Sequence, residues 1–123
     1  MNKKILIAED HDDIRSMMVI FLEEMGFEPI AATDGHEAVE LALKHSPSLV
    51  LMDISMPVMD GVEAAAIFRS HDSLARIPIV AITAFGRHVP KHIKLTHFDR
   101  VIDKPIDILL LKPVVEEFIN SKE

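Results

Sequence analysis

The sequence predicts an α/β domain built on a parallel sheet, and two observations predict it. Short apolar runs of strand length alternate with amphipathic stretches of helix length along the whole chain, without an internal repeat, a low-complexity segment or a linker. The apolar runs are also rich in aliphatic and β-branched residues, as strands covered on both faces are.

Each element has its own justification. "KILIAE" (residues 4–9) reads as a buried first strand. In "DDIRSMMVIFLEEMGF" the residues Ile14, Met17, Met18, Phe21, Leu22 and Met25 recur at helical spacing, with Asp12 as the expected N-cap and Gly26 as the stop. "FEPIAAT" (27–33) is the second strand. "DGHEAVELALKH" follows as a helix with a small apolar face of Ala38, Leu41 and Ala42. "SLVLMD" (48–53) is the third strand, and "GVEAAAIFRSH" the helix after its loop. "IPIVAIT" (77–83) and "DRVIDK" (99–104) are the fourth and fifth strands, and "ILLLKPVVEEFINS" is the closing helix. Pro113 would interrupt that helix unless it began near Leu110, which would put the proline in its tolerant first turn. The run "ILLL" reads as core, with any exposed part available to a dimer or partner interface. Strands separated by helices imply a parallel sheet with right-handed connections.

Composition narrows the function. A chain of 123 residues is the size of one domain, and 49% hydrophobic content excludes a disordered chain. No apolar run approaches the roughly 20 residues that span a bilayer. The chain has no cysteine, which removes disulfides and thiolate chemistry, and no secretory signal is evident at its start, so a cytoplasmic location is expected. Twenty acidic residues against 13 basic ones give a net charge of -7, which argues against broad binding to nucleic acid or an anionic membrane.

In an open parallel sheet, ligands gather at the carboxyl ends of the strands. Here the first strand ends in Glu9-Asp10, the third in Asp53, the fourth in Thr83 and the fifth in Lys104-Pro105. Three carboxylates, a hydroxyl and an ammonium are thereby directed to one edge. Carboxylates so crowded repel one another, and a single lysine neutralises only part of their charge. A hard divalent cation resolves the conflict: Mg²⁺ takes oxygen ligands, commonly one or two carboxylates together with phosphate oxygens. An ionised aspartate beside it is a competent nucleophile, and phosphoryl transfer needs mainly positioning and charge stabilisation.

The stretches "AEDHDDIR", "LMDISMPVMDG", "AITA" and "IDKPI", in this order and spacing, make the chain resemble the receiver domain of two-component response regulators over essentially its whole length. The resemblance implies a flavodoxin-like doubly wound sheet of five strands in the order 2-1-3-4-5 with five helices, forming a single receiver domain over residues 1–123 without an effector domain. It implies that Asp53 accepts a phosphoryl group from a histidine kinase or histidine phosphotransfer protein. It further implies a Mg²⁺ (or Mn²⁺) site from Glu9, Asp10, Asp53 and the Ser55 backbone carbonyl. Thr83, Ala84 and Lys104 would bind the phosphoryl group, and the Lys104–Pro105 peptide would be cis. The reading is of a signalling domain rather than an enzyme. The alternatives are a phosphorylation-independent binding module and a phosphorelay intermediate or phosphate sink. An aspartyl-phosphate phosphatase is disfavoured because Ser55 stands where that class needs a second acid.

Two departures from the family pattern stand out. Val101 occupies the fifth-strand position where an aromatic residue is usual, and the chain has neither tyrosine nor tryptophan. A switch would then have to run through Thr83 and the loop after it, with Phe85 as a substitute; a bulky apolar residue at that position implies slow loss of phosphate. The second departure is "AFGRHVPKHIKLTHFDR", where Gly86 and Pro90 imply a short or irregular fourth helix. Residues 87–98 collect Arg87, Lys91, Lys94 and three histidines, a candidate docking face for an acidic partner as much as a solvated variable face. His88 and His92 have the spacing of a metal pair, but Pro90 between them argues against one. His11, beside the acidic pair, reads as a loop residue rather than a phosphodonor.

Overall fold

A computed structural model of the chain describes residues 3–56, 58–84 and 95–120. The described elements are β1 (Lys4–Ala8), α1 (Asp12–Glu24), β2 (Glu28–Ala32), α2 (Gly35–His45), β3 (Leu49–Asp53), α3 (Gly61–Ser70), β4 (Ile79–Thr83), β5 (Arg100–Asp103) and α4 (Ile108–Asn120). The five strands form one sheet in the order β2-β1-β3-β4-β5, with every neighbouring pair parallel. This is the flavodoxin-like arrangement, with four helices among the described residues. The expected fourth of five helices falls between β4 and β5, and residues 85–94 of that segment lie outside the described residues.

Period-two alternation along the central strands divides the core into two layers. Leu6, Ala8, Val50, Met52 and Ile79 face one way, against Ala38 and Ala42 of α2 and Ala64, Ala65 and Phe68 of α3. Ile5, Ile7, Leu49, Leu51, Val80 and Ile82 face the other way, against Met18, Phe21 and Leu22 of α1 and Leu111, Val115 and Ile119 of α4. All five residues of β3 and of β4 are buried, Asp53 and Thr83 included. The small alanines of α2 and α3 let those helices lie close to the sheet and to each other.

The helix ends follow from local chemistry, with two corrections. The N-cap of α1 is His11, not Asp12: the His11 carbonyl accepts from Arg15 N–H at 2.9 Å, and Asp12 and Asp13 sit inside the first turn, where negative charge suits the helix dipole. The chain leaves α1 through Gly26 at φ +90, a conformation that costs a residue without a β-carbon little. Asp34 caps α2 through Glu37 N–H at 2.8 Å, and Asp60 with Glu63 forms a reciprocal capping box on α3. The second correction concerns α4, which begins at Ile108 rather than Leu110. Asp107 accepts from Leu109 N–H at its side chain and from Leu111 N–H at its carbonyl, and this nucleates the helix one turn ahead of Pro113. Pro113 therefore lies beyond the first turn, and it is tolerated on the exposed side of the helix, near Leu109 at 82% exposure. Of the apolar run at its start, Leu111 is core while Leu109 and Leu110 are exposed.

Candidate functional site

The registers bring the strand ends together at one edge. Ala8, the last residue of β1, pairs with Met52, so Glu9 lies beside Asp53; Asp53 pairs with Ile82, and Thr83 with Asp103, which places Thr83 and Lys104 next along the edge. The backbone holds this register past the strands, with Glu9 N–H donating to Ala32 O at 3.0 Å and Lys104 N–H to Thr83 O at 2.7 Å. The Lys104–Pro105 peptide is cis. Glu9 and Asp53 are each 1% exposed and Thr83 is fully buried. Three polar side chains in such surroundings require partners or a task.

Lys104 supplies part of the compensation. Its Nζ donates to Asp53 Oδ2 at 2.9 Å and lies 3.2 Å from Glu9 Oε1. Ser55 N–H donates to Asp53 Oδ1 at 3.0 Å. His11 donates its backbone N–H to Glu9 Oε2 at 3.1 Å, and its Nδ1 lies 3.0 Å from the same oxygen and 3.4 Å from Asp10 Oδ1. Arg15 secures the backbone of this turn through a bond to Glu9 O at 2.9 Å. Even so, Glu9 Oε1 and Asp10 Oδ1 are buried atoms without a hydrogen bond. One donor atom from each of Glu9, Asp10, His11 and Asp53 lies within 4.8 Å of the other three.

The charges distribute unevenly. Burial pushes the Asp53 carboxyl up to about 6, against the Ser55 N–H and Lys104, and the negative charge of Glu9 adds to the rise. Burial acts on Glu9 in the same sense but is outweighed by the His11 backbone and side chain, Asp53 and Lys104, which hold its carboxyl below the usual range. The two carboxylates titrate as a pair, with the proton favouring Asp53. Burial lowers Lys104, but its hydrogen bond and attraction to Asp53 and Glu9 prevail and raise it, so it stays an ammonium. Hydrogen bonding to Glu9 and the charge of Asp10 raise the exposed His11.

The structure thus gathers Glu9, Asp10, Asp53 and Lys104 in direct proximity, with Thr83 on the adjacent strand end. Ser55 reaches Asp53 through its N–H. Ala84 is exposed just beyond Thr83, and Val101 lies on the edge strand opposite Ala81, 37% exposed. Phe85 and the basic residues Arg87, Lys91 and Lys94, with His88 and His92, lie outside the described residues; of the 87–98 segment only Leu95 to Phe98 are described. Sequence reasoning missed two contributors. Gly61 is required because a β-carbon there would fall 2.4 Å from the Asp53 carbonyl oxygen, so the start of α3 rests directly on the Asp53 backbone. His11 is a loop residue, as the sequence implies, but its ring also reaches both acids, and its place directly after them at a strand end is the signal for that contact. Beside the mouth runs an apolar hollow lined by Ile14, Met17, Lys104, Pro105 and Ile106, and through Met17 it adjoins a second hollow lined by Ile20, Phe21 and Ile108.

Comparison with known proteins converges on one group. The family model of the response regulator receiver domain matches residues 5–116. The chain is 34% identical over 122 residues to the polar-differentiation response regulator DivK of Brucella anthropi, covering 98% of this chain and 99% of that one. Among solved structures it is similar to the receiver domain of sensor histidine kinase PA1611 from Pseudomonas aeruginosa, with a magnesium ion coordinated in the active site cleft. The TM-score is 0.90 at 26% identity, over 98% of this chain and 99% of that one. It is also similar to a chain of the co-crystal structure of the Saccharomyces cerevisiae histidine phosphotransfer protein Ypd1 with the receiver domain of its downstream response regulator Ssk1. There the TM-score is 0.87 at 26% identity, over 98% and 91% of the two chains.

Proposed function

The chain belongs to the response regulator receiver domain family, and on that premise we propose that it accepts a phosphoryl group on Asp53 and signals through protein contacts. One observation carries the reading: Asp53 is buried and bonded to Lys104, in a cluster where Glu9 Oε1 and Asp10 Oδ1 lack hydrogen bonds. A carboxylate cluster left partly unsatisfied is poor scaffolding and good ligation.

The donor set fits a hard divalent cation. Glu9, Asp10, Asp53 and the Ser55 carbonyl would hold Mg²⁺ or Mn²⁺, which when bound supplies positive charge for the carboxylates and for phosphoryl oxygens. The chain's own residues do the rest. An Asp53 carboxylate oxygen attacks the phosphorus of a phosphohistidine; the P–N bond breaks, the donor imidazole leaves with its electron pair and takes a proton, and Asp53 becomes an acyl phosphate. Ser55 N–H and Lys104 fix the orientation of the attacking carboxylate beforehand. Once the group has transferred, Lys104 pairs with its negative charge, and the Thr83 hydroxyl and the Ala84 backbone receive its oxygens. No general base is required, because the nucleophile reacts as the carboxylate.

The donor is a histidine kinase or a histidine phosphotransfer protein. The apolar hollow of Ile14, Met17, Pro105 and Ile106 supports this, because it shares Lys104 with the acidic mouth and so lets a partner dock beside the nucleophile. Val101 removes the usual fifth-strand aromatic from the output, which leaves Thr83 and the loop after it to report the phosphoryl group. Incubating the chain with Mg²⁺ and a small phosphodonor, followed by intact mass, tests the reading. A single phosphoryl adduct that Asp53→Asn abolishes is expected; no adduct, or one that survives the substitution, overturns it.

A further inference from the structure

His11 carries the only imidazole among the described residues whose ligand atoms converge at the acidic mouth, and the phosphoacceptor reading gives it no role. Its imidazole is not used to cap α1: it occupies the N-cap position in extended conformation, at φ -78 and ψ 118, and makes no side-chain cap bond. The ring instead turns back over the carboxylates. Nδ1 stands 3.0 Å from Glu9 Oε2 and 3.4 Å from Asp10 Oδ1. Two ligands on one small divalent ion, with bonds of about 2.1 Å, lie between about 3.0 Å apart when adjacent and about 4.2 Å when opposite. His11 therefore already has the separations of a neighbouring ligand. A second observation points independently to an ion among these groups: Glu9 is 1% exposed, yet its Oε1 makes no hydrogen bond, although the Lys104 ammonium lies 3.2 Å away.

We propose that His11 Nδ1 is a further ligand of the divalent cation held by Glu9, Asp10 and Asp53, and that it raises the affinity of this receiver for borderline ions above that of a site of oxygen ligands alone. The inference rests on the metal-binding reading above and deepens it. An all-oxygen site suits Mg²⁺, whereas one imidazole among carboxylates shifts preference towards Co²⁺, Ni²⁺ and Zn²⁺ along the ordinary affinity order. His11 is 64% exposed at its side chain, so the ring can move the short distance from hydrogen bonding to ligation without disturbing the core.

The test compares the full chain with His11→Asn, which keeps a good N-cap and a donor for Glu9 but has no imidazole. Mg²⁺ and Co²⁺ affinities are measured by calorimetry, and the Mn²⁺-loaded proteins are examined by pulsed paramagnetic resonance for coupling to an imidazole nitrogen. The expected result is nitrogen coupling in the wild type that is absent from the variant, with Co²⁺ affinity falling about tenfold or more and Mg²⁺ affinity by less than about threefold. Wild type that binds Mg²⁺ but shows no nitrogen coupling, with an unchanged Co²⁺ to Mg²⁺ ratio in the variant, overturns the role of His11 alone. Failure of the wild type to bind either ion overturns the underlying metal site as well.

Discussion

Two polar clusters flank the same sheet, and they are built in opposite ways. Around Arg69, at the end of α3, every charge is satisfied. Its guanidinium donates to the carbonyls of Ala75, Ile77 and His97 and to Asp99 Oδ2, all between 2.7 and 3.1 Å, and Asp99 in turn accepts from Ile79 N–H. One cation thus ties α3, the loop before β4 and the approach to β5 into a rigid corner. At the mouth formed by Glu9, Asp10, Asp53 and Lys104, acids crowd around one ammonium and two buried carboxylate oxygens lack hydrogen bonds. A cluster that completes its own bonds is architecture; one that leaves them open is poised for an external group.

The largest expected effect lies at the satisfied corner. Arg69→Ala leaves three backbone carbonyls without their donor and should destabilise the fold by about 4 kcal/mol, read as a lower midpoint in urea unfolding. Wild-type stability in the variant would mean that the corner is ornamental and the contrast false.

The mouth should respond with the opposite sign. Asp53 titrates at about 6 in the folded chain against 3.8 for the free group, so between those values the folded chain binds more protons than the unfolded one. Stability without divalent ions should therefore fall as pH rises from about 4 to 6, by on the order of 2 kcal/mol. Glu9, held below the 4.5 usual for a free glutamate, contributes in the other direction, but only below that pH. Asp53→Asn should remove the loss and leave the metal-free chain more stable at pH 7 by a similar amount. A variant that is less stable than wild type would show that the mouth is held together by its charges.

A smaller effect isolates backbone strain in the loop that follows Asp53. Val58, in the loop between β3 and α3, adopts φ 67 while 86% exposed, a left-handed conformation that a β-branched residue enters only with strain. Val58→Asn should raise stability by roughly 0.5–1 kcal/mol. A neutral or destabilising result in thermal unfolding would mean that the side chain does something here that its exposure conceals.

The two clusters were not equally legible in the sequence. The mouth was readable because Glu9, Asp10, Asp53 and Lys104 stand directly at the ends of apolar runs, where a charge is anomalous, and because a parallel sheet brings all such ends to one edge. The same runs carried the strands and the helices of the core. Arg69 gave no comparable signal: it is a single arginine near the end of an ordinary helix, and its partners at residues 75, 77, 97 and 99 come to it only through tertiary folding. The run "DRVIDK" puts Asp99 in the fifth strand, yet it lies just before β5 and serves Arg69 and Ile79. Helix starts are less legible for a related reason. Asp107 sets the start of α4 by capping it, which outweighs the preference of Pro113 for a first turn, and the His11 carbonyl opens α1 where Asp12 had the better capping side chain.

The most direct measurement of the central claim is chemical location of the modified residue. The chain is incubated with Mg²⁺ and a phosphodonor, any acyl phosphate is reduced with borohydride, and the peptides are sequenced by mass. An aspartyl phosphate reduced in this way becomes homoserine, and homoserine at position 53 and nowhere else is the predicted result. Unmodified Asp53, or a modification found at Glu9, Asp10 or His11 instead, would contradict the account.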